Sequence, residues 1–483
     1  VTANSAPVLR NAFWLIGAQV LAAPVSIVIN AVAARYLGPA DFGTLYLVTT
    51  YAGFAFIFVE WGQFGTLTGK IATDRSRAGE LLGSAMVWRI AAAWVAAILA
   101  LLLCALAGYD RPFLSVMALT FAVYGFGTVA AAGQDAVRGF ERTDFAALTY
   151  LGQQLLGASI SICLLILGFR LRGLLLGQVL CAAIGVAFVL SMLPRLQIPR
   201  LSVRKATIAE LFRGGRGFLV FVLIVQLQPL VDGAMMSHFA SSDAIGWYAA
   251  SRKLLGVMIF PVAAVGGALY PTLARQFVSD REGVRATVRG ALRVLVLAVF
   301  PLALGCALFP HVGVMIFNAH TFAPAEQNMR VLALYLFLVY FSIPLSQCIN
   351  ATGRQGRWAA VQFVCVLISA AADPFLIAWF QARGGNGGLG VCVAAVGSEL
   401  LMVLGAVLLV PKGILDASVL RLFGKPAFAG LVMAGVGLVV ARYDARLGAI
   451  VATLSYVGTL WLTGALRGEE LRSLLASVNG RPA

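Results

Sequence analysis

Ala33-Ala34-Arg35-Tyr36-Leu37-Gly38-Pro39-Ala40-Asp41-Phe42-Gly43-Thr44-Leu45-Tyr46 is a short polar corner set between two long apolar runs. Gly38-Pro39 is a turn dipeptide, and Asp41 stands where it can cap a helix starting there by accepting from its first free amides. A weaker copy follows at Ser237-His238-Phe239-Ala240-Ser241-Ser242-Asp243-Ala244-Ile245-Gly246-Trp247-Tyr248. Each corner follows one apolar run and opens another, so the chain reads as an internal duplication. Placing Gly43 on Gly246 brings Arg10 onto Arg213, each just before an apolar run. Gln134 and Gly139 then fall near Gln347 and Gly353.

Working outward from the corner, the 483-residue chain is 60% hydrophobic and 12% charged, with a mean hydropathy of +0.91. A soluble domain carries about 25% charged residues. The composition describes an all-α polytopic membrane protein, in which each span needs roughly 20 apolar residues. The 51 glycines suit helices that approach closely in lipid. The seven cysteines all lie in apolar runs and form no CxxC pair. They read as small core residues, with no disulfide framework and no metal site. His238, His311 and His320 lack metal-ligand spacing, and nothing calls for a cofactor.

Fourteen apolar runs can be counted, at 9–34, 42–66, 81–107, 113–134, 145–169, 173–193, 218–239, 245–270, 290–310, 327–350, 358–380, 387–410, 427–441 and 447–464. The first is too long for a signal-peptide core and reads as a span. The organisation expected is an N-lobe at 1–193, a basic linker at 194–217, a C-lobe at 218–410, and a final pair of spans with a tail at 411–483. Of the 36 Lys and Arg residues, 25 fall on the side of the N-terminus and seven on the other. That bias places both termini in the cytoplasm and requires an even number of spans. Two six-helix lobes then share one orientation, a parallel repeat about an axis along the membrane normal, with a central cavity between them. The net charge of +16 reads as a topology signal facing anionic lipid headgroups, not as a nucleic-acid surface.

Ionisable and amide groups inside spans cost a few kcal/mol each on insertion scales, so they face a cavity or a partner. Arg252-Lys253 sits about two turns into span eight. It is either a hook for an anionic, phosphorylated substrate or a pair that snorkels to outer headgroups. Arg35 and Arg89 pose the same choice at spans one and three. Gln226, Gln228, Gln347 and Asn350 complete the set of substrate-binding candidates. Asp232, close after Pro229 in span seven, is a cavity acid or lies at the outer surface. Glu60 in span two and Asp373, before Pro374 in span eleven, join it as ion-coupling candidates. Asp135 ends span four and Glu399 lies in span twelve. No G-x-S-x-G, P-loop or carboxylate dyad suggests an enzyme or an ATP-driven pump.

Leu9-Arg10-Asn11-Ala12-Phe13-Trp14 and the corner from Ala34 to Gly43 with Tyr46 resemble the opening of the Wzx-type polysaccharide flippases. Arg138-Gly139-Phe140-Glu141-Arg142 and Asn350-Ala351-Thr352-Gly353-Arg354 are similar to that family too. It belongs to the multidrug/oligosaccharidyl-lipid/polysaccharide exporter superfamily. The resemblance implies two lobes forming a V and alternating access. It implies an undecaprenyl-pyrophosphate-linked oligosaccharide carried from the inner to the outer leaflet of the bacterial inner membrane. It further implies membrane lipids, a polysaccharide polymerase and chain-length machinery as partners. The competing reading is a multidrug or toxin exporter of the same superfamily, which would prefer an acidic cavity. A membrane glycosyltransferase would need a larger outer loop with catalytic acids or arginines than the stretch from His311 to Glu326.

Overall fold

A computed structural model describes residues 5–198, 200–279 and 281–465, and every regular element among them is helical. The expected C-terminal tail lies outside the described residues. In chain order the α-helices are α1 (Ser5–Glu60), α2 (Gln63–Thr73), α3 (Ala78–Leu106), α4 (Arg111–Gly139), α5 (Thr143–Ile166), α6 (Arg170–Met192), α7 (Lys205–Phe239) and α8 (Ser242–Ser279). They continue as α9 (Arg281–Leu308), α10 (Pro310–Val314), α11 (Ala325–Ala351), α12 (Gln355–Gly384), α13 (Gly387–Leu409), α14 (Ala417–Val440) and α15 (Ala445–Leu462).

Twelve segments among the described residues are long and apolar enough to cross a membrane. The first, Pro24–Thr73, runs for 50 residues and contains the second expected span and the end of the first, broken at Gly38. The expected seventh span lies in α7, which is 35 residues long. The protein is thus a multi-pass, all-α membrane protein. Large apolar side chains are exposed in mid-helix, among them Trp94 at 69% and Ile98 at 63%, one turn apart on α3. A helix satisfies its own backbone, so such a face can meet hydrocarbon without loss.

The opening corner does not end a helix. α1 runs through it and kinks at Gly38, where φ is 75° and ψ 175°. A residue without Cβ takes that conformation freely. Pro39 then lies in the first turn of the new direction, where no amide is needed. Asp41 does not cap this restart. Its carboxylate accepts from Arg170 at 2.7 Å, because a guanidinium at the start of α6 offers a full charge where backbone amides offer partial ones. In the second copy Ser241 caps α8, its hydroxyl accepting from the Ala244 amide at 3.3 Å.

A second break went unforeseen, because 42–66 reads as one apolar run. Between α1 and α2 both Trp61 and Gly62 are left-handed, with φ of 49° and 64°. The elbow frees the Val59 carbonyl, which accepts from the Trp88 indole N–H at 2.9 Å.

The chain forms two compact units, Val1–Ser237 and His238–Ala483. Their internal contacts repeat. α4 and α11 end alike: Arg142 N–H returns to Val137 O and Arg354 N–H to Ile349 O, both at 3.2 Å. Glu141 and Gly353 take the left-handed φ, 62° and 75°, that such an ending requires. Between α5 and α6, Cys181 Sγ donates to Gln153 O at 2.9 Å. Between α12 and α13, Ser398 Oγ donates to Cys365 O at 3.3 Å. Gly173 and Gly390 sit at equivalent close approaches, their missing Cβ atoms falling 3.3 and 2.5 Å from the Leu164 and Leu376 carbonyl oxygens. By the same register Ser161, which donates to Leu174 O at 3.0 Å, is the counterpart of Asp373.

Six cysteines are buried and Cys163 is exposed.

Candidate substrate and ion sites

In the first unit the in-span charges gather on α3 and α4. Arg89 is only 1% exposed and its guanidinium is divided among three partners on two helices, α2 and α4. Nε donates to Gln63 Oε1 at 3.3 Å at the start of α2. One Nη donates to Thr128 O at 2.9 Å, and the other lies 3.5 Å from Asp135 Oδ2. Arg138, one turn beyond Asp135, pairs with the same carboxylate at 3.3 Å. Glu60 is half-buried and lies 3.5 Å from the Thr128 hydroxyl. Arg89 therefore does not snorkel, and Asp135, Gln63 and Thr128 surround it. Leaving it uncompensated would be costly, since a lone buried charge loses far more than a pair gains.

α7 carries Gln226 and Gln228, both half-buried. Gln228 Nε2 donates to Asp232 Oδ1 at 2.7 Å, a one-turn pair that spans the interior Pro229. Asp232 is 1% exposed, so it is not a surface residue. Arg35 is exposed, just before the Gly38 kink.

In the second unit Arg252 is half-buried. Its guanidinium carbon lies 5.9 Å from the Tyr335 ring centre and 6.0 Å from that of Tyr248, at the outer range of cation–π attraction. Its charge also acts on the Glu399 carboxyl, which is buried in α13 and accepts from the Ser342 hydroxyl of α11. Lys253, the next residue, is exposed, as adjacent positions on a helix must diverge. Arg252 thus turns toward the two tyrosines while Lys253 turns outward. Gln347 and Asn350 are half-buried on α11. Gln347 packs near Gly266 of α8. Asp373 is fully buried in α12, on the face that meets α13.

The structure thus brings Arg89 together with Asp135 and Gln63, Glu399 together with Ser342, and Arg252 beside Tyr248 and Tyr335. Glu399 and Asp135 are visible in the sequence as in-span acids. Gln63 and Ser342 carry no charge signal there, and only the tertiary packing singles them out. No group of three His, Cys, Asp or Glu side chains among the described residues could hold a metal ion.

A multi-pass helical bundle, with charged groups held inside two repeated units, defines a membrane transporter fold. The chain belongs to the polysaccharide biosynthesis protein family, which it matches over residues 8–277, more than half its length. It is similar to a solved lipid II flippase, MurJ, in the inward closed conformation. The TM-score is 0.74 at 12% identity, over 94% of this chain and 99% of that one. An inward-facing MATE family multidrug resistance transporter of the MOP superfamily gives 0.62 at 12% identity, over 83% and 95%. A mutant of the Vibrio cholerae MATE transporter VcmN gives 0.58 at 13% identity, over 82% and 95%. No curated protein sequence matches. At these identities the likeness to solved structures is one of fold. With the family match, it bears out the resemblance to Wzx-type flippases of that superfamily.

Proposed function

We propose that the protein is a flippase that carries an undecaprenyl-pyrophosphate-linked oligosaccharide from the inner to the outer leaflet of the bacterial cytoplasmic membrane, by alternating access, for surface polysaccharide assembly. The observation that carries this reading is the family match over residues 8–277. The fold shared with a lipid II flippase over 94% of the chain supports it. Arg252 and Lys253 would meet the pyrophosphate, with Arg35, Gln226, Gln228, Gln347 and Asn350 contacting the saccharide. Arg89 would hold the first unit's interior through Asp135. Asp232, Glu60 and Asp373 are the acids we assign to ion coupling. Both termini would be cytoplasmic, and a polymerase with chain-length machinery would take the product.

The multidrug exporter reading fits less well. A cavity for cationic drugs needs uncompensated acids, whereas Asp135 is answered by Arg89 and Arg138. The direct test is deletion of the gene followed by assay of lipid-linked intermediates on each leaflet. Loss of outer-leaflet repeat units with inner-leaflet accumulation is expected. Normal arrival outside, with no paralogue present, would sink the reading. In the complemented strain, Arg252→Ala with Lys253→Ala is expected to lower export about tenfold or more at unchanged membrane abundance, as loss of charge-assisted phosphate contacts would. Full export by the double variant removes that pair from the site.

A further inference from the structure

α7 stands in two places at once. By the repeat it is the opening helix of the second copy, since its break from α8 at Ser241 falls where α1 kinks at Gly38. By its contacts it belongs to the first unit, which extends to Ser237. Its outer half meets α1, where Tyr51 O–H donates to the Ser237 hydroxyl at 3.2 Å and Gly233 lies against Thr50, while its inner half meets the α1–α2 elbow and the helices beside it. Gly214 and Gly215 form a notch there. A Cβ on Gly215 would stand 2.1 Å from the Trp61 carbonyl oxygen, and one on Gly214 would stand 2.5 Å from a Thr66 methyl. Phe212 wedges between Trp61 and Trp88, with ring centres 4.8 and 4.4 Å away. Glu210 bridges Lys70 at 2.5 Å and Arg77 at 2.9 Å.

We propose that the inner half of α7 is a releasable latch, seated on the α1–α2 elbow and required to leave that seat in every transport cycle. The chemistry of the seat suits release. The glycine notch makes flat backbone contacts with nothing threaded through it, and the ion pairs are part-exposed, where such pairs hold weakly. The other side of the seat is fixed. Trp61 is a non-glycine residue in left-handed backbone, which persists only where its surroundings enforce it. The Trp88 indole on Val59 O and Arg89 on Gln63 supply that bracing. Pro229 lies further along α7 and supplies a point of bending.

The proposal rests on the transport reading above, and its test separates the two. The Cβ of residue 214 would lie 3.3 Å from that of Thr66, close to disulfide range. Thr66→Cys with Gly214→Cys, in a chain with its native cysteines replaced, is expected to cross-link on mild oxidation. In vesicles carrying an NBD-labelled undecaprenyl-pyrophosphate saccharide, read by dithionite quenching, the cross-linked chain is expected to flip about tenfold less, as a locked gating step would. Reduction of the same sample restores flipping. A cross-linked chain that flips as fast as its reduced form overturns the latch and leaves the transport reading standing, as does failure of the cysteines to join. A chain with neither substitution that flips nothing sinks the transport reading instead. Leu211→Cys gives a second measurement, because Leu211 is fully buried in the seat. Its labelling by N-ethylmaleimide should rise several-fold when substrate is added, as release demands. An unchanged rate overturns the proposal.

Discussion

At the scale of single residues, Arg89 and Asp135 tie α3 to α4, and Gln63 extends the tie to α2. Removing Asp135 leaves Arg89 buried without its counter-charge, at a cost of about 3–5 kcal/mol. Removing Arg89 leaves Asp135 its pair with Arg138, and replacing both with apolar groups of similar volume is often tolerated. Asp135→Leu is expected to lower thermal stability in detergent markedly and Arg89→Met less, because Arg138 still answers Asp135. The double variant is expected to recover much of the Asp135→Leu loss. Additive losses would mean that the two do not act as a pair. The sequence flags Arg89 as costly in a span but cannot name its partner, which lies on the next helix. Arg252 shows the same gap. Two cations in series are legible, but that one turns toward Tyr248 and Tyr335 while its neighbour is exposed depends on helix rotation. Spans that are apolar all round carry no periodic signal of rotation.

At the scale of elements, helix pairs close through small residues. Gly390 is one such case, since a Cβ there would stand 2.5 Å from the Leu376 carbonyl oxygen. Gly390→Leu is expected to abolish the α12–α13 seam and with it membrane accumulation. Ser398→Ala, which removes one interhelical hydrogen bond, should cost only about 0.6 kcal/mol, read as a small drop in melting temperature. Glu210, on the stretch of α7 that precedes the seventh apolar run, is held down to about 2 by Arg77 first and Lys70 second, against an ordinary 4.5. A depressed carboxylate contributes fully above its unfolded pKa and loses that contribution as pH falls through the folded one. The seat of α7 should therefore be indifferent to pH from about 5 to 8 and loosen only in strong acid. Labelling of a Leu211→Cys chain relative to that of an exposed reference cysteine, titrated over this range, checks this, because the ratio cancels the thiol's own pH dependence. A rise in the ratio near neutrality would contradict it. The spans themselves were legible, because composition decides them. The α1–α2 elbow was not, since Trp61-Gly62 sits inside an apolar run and its break is held from outside by Trp88 and Arg89.

At the scale of the whole molecule, the Lys and Arg bias predicts which loops face outward. Tyr443, 89% exposed between α14 and α15, should on that count be external. A Tyr443→Cys chain is expected to react with a membrane-impermeant maleimide from outside intact cells, and a Lys412→Cys chain only after lysis. The reverse pattern would invert the assigned orientation. The repeat was legible at its two corners, while the register joining Ser161 to Asp373 emerged only from matching hydrogen bonds. That register has a practical consequence. The fold holds its own control experiment, because the seat given to an acid in one unit is filled by a serine in the other. Asp373→Ser asks the second unit to adopt a side chain its twin already accommodates at the same helix seam. Abundance should survive that exchange, and any transport lost with it would measure what the carboxyl adds beyond architecture.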